Sequence, residues 1–136
     1  MADTKNYQLE ILTPFKSVFQ GEVDSLIATG ADGLFGVLVN HAPMLSALGF
    51  GPLLIRSGGK EKWYVLSDGF FEIRQNKAVI LVDTAELKDD IDVTRAEAAR
   101  DRAMGRLQER GADDDIDRAR AALNRALVRL QTASRN

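Results

Sequence analysis

The chain has 136 residues, 45% hydrophobic and 28% charged, which suffices for one compact core with an appendage but not for two full-sized domains. Its formal net charge of -2 excludes a general basic field, so we expect no nucleic-acid partner. The lack of cysteine excludes disulfides and Cys-based metal sites, and the apolar runs are too short to cross a bilayer. We therefore expect a soluble protein facing the cytoplasm, without direct membrane insertion.

The composition changes abruptly near residue 88. Residues 1–88 hold all nine aromatic residues, all three prolines and nine of the eleven glycines. Residues 89–136 contain no aromatic residue, and they combine ten arginines with ten acids and ten alanines. The sequence therefore predicts two domains, 1–88 and 89–136, of which the second has little bulky apolar material for a core of its own.

Short β-rich runs separated by turn residues fill residues 1–88, a pattern typical of an all-β sandwich or barrel. Strict alternation in the first run puts Tyr7, Leu9 and Ile11 on one face. Gly58-Gly59 and the Gln75-Asn76-Lys77 link are interpreted as hairpin turns. The predicted strands cover residues 7–12, 15–19, 22–28, 34–39, 53–57, 62–66, 70–75 and 77–82.

Residues 89–136 are predicted to form an antiparallel hairpin of two helices. Asp92 or Thr94 can cap the first helix, and the segment 94–97 fits a capping box. Gly111 is expected to end that helix. The second helix is expected over about residues 116–133, because apolar residues recur there at helical spacing.

No catalytic constellation stands out in the sequence. The glycine-rich phosphate loop is absent, and His41, the single histidine, has no serine or carboxylate beside it in the segment 40–43. We therefore do not expect a stand-alone enzyme. A small hydrolase that uses His41 is the least favoured alternative.

Arginine provides all the positive charge of residues 89–136. Six of these arginines repeat one spacing, with steps of seven and four residues in each helix: Arg95, Arg102 and Arg106, then Arg118, Arg125 and Arg129. Two interpretations are open from the residues alone: a helix end stabilised by its own dipole, or a site for phosphate or an acidic protein surface. Arginine favours the second, because its planar fork binds phosphate and carboxylate in a bidentate manner.

Three segments together resemble one family, the epsilon subunit of bacterial F-type ATP synthase. Residues 33–44 are similar to its glycine-led strand and His-Ala-Pro loop, residues 68–86 to its central hairpin, and residues 91–96 to its I/L-D-x-x-R-A motif. They occur in the family's order and with the same change from strands to helices. Val39 departs from the family's usual proline, which affects the geometry of that loop.

The resemblance implies a β-sandwich of about ten strands attached to the rotor stalk, followed by a regulatory helical hairpin. It implies contacts with the gamma subunit, the c-ring and the alpha and beta subunits, on the cytoplasmic face of the membrane as a peripheral protein. The implied function is to couple proton translocation to ATP synthesis and to regulate ATP hydrolysis, without a catalytic site in this chain.

The resemblance also implies ATP as a regulatory ligand, with no cofactor required. The positions that match the ATP-binding members are Glu86, Ile91, Asp92, Arg95, Ala96, Arg102, Arg125 and Arg129. The alternative is a stand-alone nucleotide-sensing β-sandwich module whose helical tail binds an acidic protein partner.

Overall fold

The computed structural model describes residues 5–109 and 114–136, apart from the side chain of residue 114. Within them the chain divides into two compact units, which we call the β unit, up to Leu87, and the helical unit, from Lys88 onward.

Ten strands form the β unit. Their order in the hydrogen-bonded sheet is β10-β7-β6-β3-β5-β8-β9-β1-β2, and β4 pairs with β3. All pairings are antiparallel except that of β1 with β9. The predicted ten-stranded sandwich is confirmed, with the strands β1 (Tyr7–Leu12), β2 (Ser17–Val23), β3 (Ser25–Gly30), β4 (Gly33–Leu38), β5 (Met44–Leu48), β6 (Gly51–Ser57), β7 (Lys60–Leu66), β8 (Gly69–Arg74), β9 (Lys77–Val82) and β10 (Ala85–Leu87).

Two predicted strand boundaries near the N-terminus are wrong. The strand expected from residue 15 begins at Ser17, because the Oγ1 atom of Thr13 accepts the backbone N–H of Lys16 at 3.3 Å and closes a turn. Phe15 therefore projects outward, 92% exposed. Gly21, which falls between the predicted strands 15–19 and 22–28, lies inside β2 opposite Leu9. Glycine was interpreted as a turn residue, but here it lies within a strand.

Strands β5 and β10 were not predicted from the residue patterns. Strand β5 is short, and its outward face carries Leu45 at 70% exposure, which hides the usual alternation of apolar and polar residues. Strand β10 has three residues and pairs with β7. Their existence depends on pairing with distant strands rather than on local propensity.

The core of the β unit consists of large side chains. The predicted alternation in β1 is confirmed, because Tyr7, Leu9 and Ile11 are all buried. The hydroxyl of Tyr7 donates a hydrogen bond to the carbonyl of Val37 at 2.8 Å, so its polar atom is satisfied inside the core. Phe71 is fully buried and packs edge-on against Phe35 with ring centroids 5.4 Å apart.

Both predicted tight hairpins form. Gly58 and Gly59 connect β6 and β7 with φ values of 58° and 79°, a left-handed conformation that glycine adopts without steric cost. Gln75 and Asn76 connect β8 and β9 with φ values of 50° and 58°.

The helical unit begins with a short 3₁₀ helix, Lys88–Asp90, followed by α1 (Val93–Gln108) and α2 (Asp114–Ala133). Asp92 caps α1, and its Oδ1 atom accepts the backbone N–H of Arg95 at 3.0 Å. The capping box predicted at Thr94 is wrong, because Thr94 lies inside the first turn. Gly111, the predicted end of α1, lies outside the described residues.

Alanine side chains form the buried side of the hairpin. The two helices pack against each other, and each buries two alanines seven residues apart: Ala96 and Ala103 in α1, Ala119 and Ala126 in α2. Seven residues span almost two helical turns, so each pair lies on one side of its helix. The predicted antiparallel helical hairpin is confirmed.

Candidate functional site

The predicted ATP-binding residues fall in both units. Glu86 is in β10, at the end of the β unit. The other seven belong to the helical unit, where the antiparallel arrangement of α1 and α2 brings the last turns of α2, which carry Arg125 and Arg129, beside the first turns of α1, which carry Arg95. Arg102 lies almost two turns further along α1 than Arg95.

Asp92 already has a structural task at the start of α1. Its backbone is extended, with φ -79° and ψ 96°, and its Oδ1 atom accepts the hydrogen bond from Arg95. The second carboxylate oxygen has no partner among the described residues. The exposed Asp92 carboxylate can therefore accept a hydrogen bond from a ligand while it caps the helix.

Ile91 and Ala96 are buried, with 8% and 4% of their surfaces exposed. In this conformation they pack inside the protein. They flank Asp92 and Arg95, so they fix the start of α1 from which those two polar side chains project.

The arginines in question are largely exposed. Arg95, Arg102 and Arg125 are exposed, and Arg129 is half-buried. Within the described ranges, the salt bridges found in the helical unit join Lys88 to Asp89 and Arg100 to Asp101, at 3.6 and 3.0 Å. The arginines Arg95, Arg102 and Arg125 therefore keep their donors available for an anion.

His41 lies in a loop fastened by two asparagines. The backbone N–H of Asn40 donates to Oδ1 of Asn76 at 2.7 Å, and Nδ2 of Asn76 donates to Oδ1 of Asn40 at 2.9 Å. The Nδ1 atom of His41 is 2.7 Å from the carbonyl of Ala42. In the described part of the chain no serine or carboxylate contacts the imidazole, so the arrangement provides no nucleophile for it to activate.

Exposed apolar side chains on the β unit form a feature that the strand pattern did not identify. Phe70 in β8 pairs across the sheet with Leu81 in β9, and they are 58% and 51% exposed. Both line an open cavity of about 640 Å³. The exposed leucines Leu34, Leu38 and Leu45 lie on β4 and β5. Phe70 and Leu81 thus form one exposed apolar patch beside this cavity, and contiguous apolar patches mark surfaces that bind other proteins.

Two further kinds of site are not found in the described residues. These residues hold no group of three or more His, Asp or Glu side chains placed to bind a metal. Neither described helix combines the length and apolarity that a membrane-spanning helix needs.

Family models match nearly the whole chain. The ATP synthase delta/epsilon chain β-sandwich domain matches residues 6–88, and the long α-helix domain of the same chain matches residues 89–134. The chain belongs to the ATP synthase epsilon-chain family. Epsilon chains are non-catalytic subunits of ATP synthase, so the predicted family and the predicted non-catalytic role are both confirmed.

Proteins similar to this chain are ATP synthase epsilon chains as well. The ATP synthase epsilon chain of Desulforamulus reducens is 46% identical over 109 residues, which span 80% of this chain and 83% of the relative. That of Ruminiclostridium cellulolyticum is 47% identical over 102 residues, spanning 75% of this chain and 76% of the relative.

Two solved structures share the fold. One is a chain of the Euglena gracilis mitochondrial ATP synthase, in a structure of OSCP, F1 and c-ring; its TM-score is 0.74 and its identity 22%, covering 96% of this chain and 79% of that one. The other comes from the central stalk and c-ring of the Tetrahymena thermophila enzyme, with TM-score 0.64 and 12% identity, covering 93% and 96%.

Proposed function

We propose that this epsilon-family chain works in the rotor of ATP synthase, with the β unit as its attachment and the helical unit as an ATP-sensitive regulator of ATP hydrolysis. The rotor would couple proton translocation to ATP synthesis, and the chain would act at the cytoplasmic face of the membrane as a peripheral subunit. The regulatory part of this proposal rests on one observation: the hairpin buries alanines of both helices and carries exposed arginines on both.

Attachment is assigned to the β unit because of its exposed apolar side chains. Burial of apolar surface contributes about 25 cal/mol per Å², so exposed side chains such as Phe15, Phe70 and Leu45 would gain from a partner surface. The proposed partners of this unit are the gamma subunit and the c-ring. Those of the hairpin, in its open state, are the alpha and beta subunits.

Regulation is assigned to the hairpin because small side chains hold it closed. Alanine buries little apolar surface, and most of the stability of helices in proteins comes from the packing of an apolar face. A ligand that binds the closed hairpin alone stabilises it by about 2.7 kcal/mol at a hundred times its dissociation constant. A free energy of this size can reverse a balanced equilibrium between closed and open hairpins.

The proposed ATP site of the helical unit consists of Ile91, Asp92, Arg95, Ala96, Arg102, Arg125 and Arg129, and Glu86, in the β unit, stays a prediction from the family resemblance. In it, the arginines pair with the phosphates and Asp92 accepts a hydrogen bond from the ribose or the adenine amino group. ATP is bound as a regulatory ligand and is not hydrolysed at this site.

Calorimetric titration of the full chain with ATP tests the site. Charge-assisted hydrogen bonds contribute about 1.5–3 kcal/mol, so Arg125→Ala and Arg129→Ala should each weaken ATP binding by about tenfold or more. Arg120→Ala is the matched control, because Arg120 is exposed on the same helix but about 140° from Arg125 around the helix axis. Unchanged affinity in both Arg125→Ala and Arg129→Ala would contradict the clamp.

Asp92 needs variants that separate its two tasks. Asparagine caps helices as well as aspartate does, so Asp92→Asn should keep α1 intact and still weaken ATP binding. Asp92→Ala should in addition destabilise the helix by about 1 kcal/mol. Equal ATP affinity in Asp92→Asn and the parent would remove the carboxylate from the site.

A further inference from the structure

The two helices carry one residue pattern twice, 23 residues apart. Residues 93–108 and 116–131 are identical at nine of sixteen positions. The repeat places the buried Ala96 and Ala103 at the same positions as the buried Ala119 and Ala126. It also makes Arg95 equivalent to Arg118, Arg102 to Arg125 and Arg106 to Arg129.

This repeat places the arginines of both helices on one face of the hairpin. Two like helices packed antiparallel are related by a two-fold axis perpendicular to the plane that contains them, so equivalent residues point to the same side. With 100° between successive residues, each of the six arginines lies about 80–120° around its helix from the first buried alanine, in the same direction. Five of the six are exposed, and Arg129 is half-buried.

The arginines also separate into two groups along the hairpin. We align the two antiparallel helices on their buried alanines, which places Ala96 level with Ala126 and Ala103 level with Ala119. The same alignment puts Gln108, the end of α1, level with the first residue of α2. At about 1.5 Å per residue, one group then lies about 13 Å from the other. The groups are the open-end cluster (Arg95, Arg125, Arg129) and the loop-side cluster (Arg102, Arg106, Arg118).

The loop-side cluster has donors available. Within the described ranges, none of its three arginines forms an ion pair. Successive members differ in height by about 3 Å along the hairpin axis, and they come from both helices. The exposed acids Glu109 and Asp115 each lie three residues from a member, so the local charge is less positive than at the open-end cluster.

We propose that the loop-side cluster is a second anion site, which takes an oligophosphate chain. Three guanidinium forks on one face match the several oxygens of such a chain, which a single phosphate or carboxylate would not fill. The site shares Arg102 with the proposed ATP site, but Arg106 and Arg118 have no part in that site. The proposal requires the closed hairpin and does not depend on ATP binding at the open end.

Calorimetry of the full chain with inorganic tripolyphosphate at low salt tests the proposal. The parent should bind two equivalents, and the loop-side equivalent should be the weaker. The double variant Arg106→Ala, Arg118→Ala should bind one equivalent, with at least a tenfold loss of affinity at the second site. Both arginines are exposed and alanine favours helices, so the hairpin should stay folded, which circular dichroism checks.

Arg120→Ala is the control for simple loss of charge, because Arg120 points away from the arginine face. It should keep both equivalents. A double variant that keeps every equivalent bound by the parent, or an Arg120→Ala variant that loses one, would overturn the second site. If Arg125→Ala leaves ATP affinity unchanged while the double variant still loses tripolyphosphate, the ATP site fails and the loop-side site stands.

ATP titration of the double variant distinguishes the sources of the phosphate chain. If the double variant loses affinity for both ATP and tripolyphosphate, or for tripolyphosphate alone, the result supports a site for the phosphate chain itself. If it loses affinity for ATP alone, that assignment is overturned, because the nucleoside would then be required.

Discussion

The two units of the chain bury very different side chains. The β unit encloses Tyr7, Phe71, Ile55 and other large residues at 2% exposure or less, whereas the buried apolar side chains described in α1 and α2 are four alanines. Burying a large apolar side chain contributes about 1.5–3 kcal/mol, and an alanine methyl far less. One chain therefore combines a body with a core of large side chains and a hairpin with small buried side chains, which is the difference that the proposed regulation by ATP requires.

The largest expected effect lies in the core of the β unit. Phe71→Ala removes a fully buried ring and should destabilise the β unit by about 3–5 kcal/mol. Denaturant unfolding followed through Trp63, the single tryptophan, reports on this unit. The neighbouring Phe70→Ala, at an exposed position, should change stability by about 0.5 kcal/mol or less. Similar effects of the two variants would contradict the assigned core.

An intermediate effect is expected in the alanine seam. Ala126→Leu forces a larger side chain between the helices and should destabilise the hairpin by about 1–3 kcal/mol, without unfolding the β unit. Amide exchange should speed up in residues 93–133 and stay unchanged in strands β1 to β9. Ala121→Leu, at an exposed position of the same helix, is the control. Unchanged protection of the helices in Ala126→Leu would show that the seam is not tightly closed.

The smallest effect concerns Tyr7. Loss of its hydrogen bond to Val37 in Tyr7→Phe should cost about 1 kcal/mol. Burial also raises the pKa of the Tyr7 phenol above its ordinary value. The native state then holds a proton that the unfolded state loses above about pH 10, so this contribution to stability is complete below that pH and declines above it. Unfolding of both proteins from pH 8 to 11 should show a steeper decline for the parent than for Tyr7→Phe, and parallel curves would contradict the assignment.

Patterns of neighbouring residues predicted those parts of the fold that depend on neighbouring residues. Alternation identified β1, and turn residues identified the two tight hairpins at Gly58 and Asn76. The short strands β5 and β10 were missed, because long-range pairing rather than residue preference defines them. The cap of α1 required a choice between Asp92 and Thr94, which the residue types alone left open.

The sequence likewise predicted some features of the candidate site and not others. The spacing of seven and four residues showed that three arginines share a side of each helix. It did not show that both sides belong to one face of the hairpin, because that depends on the packing of the alanines. The second task of Asp92, as a helix cap, likewise became clear from its hydrogen bond to Arg95.

Amide exchange of the full chain, with and without saturating ATP, measures whether ATP stabilises the closed hairpin. We expect slower exchange in α1 and α2 when ATP is present, and no change in strands β1 to β9. Equal protection of the helices in both conditions, with ATP shown to be bound, would contradict a hairpin whose closure ATP controls.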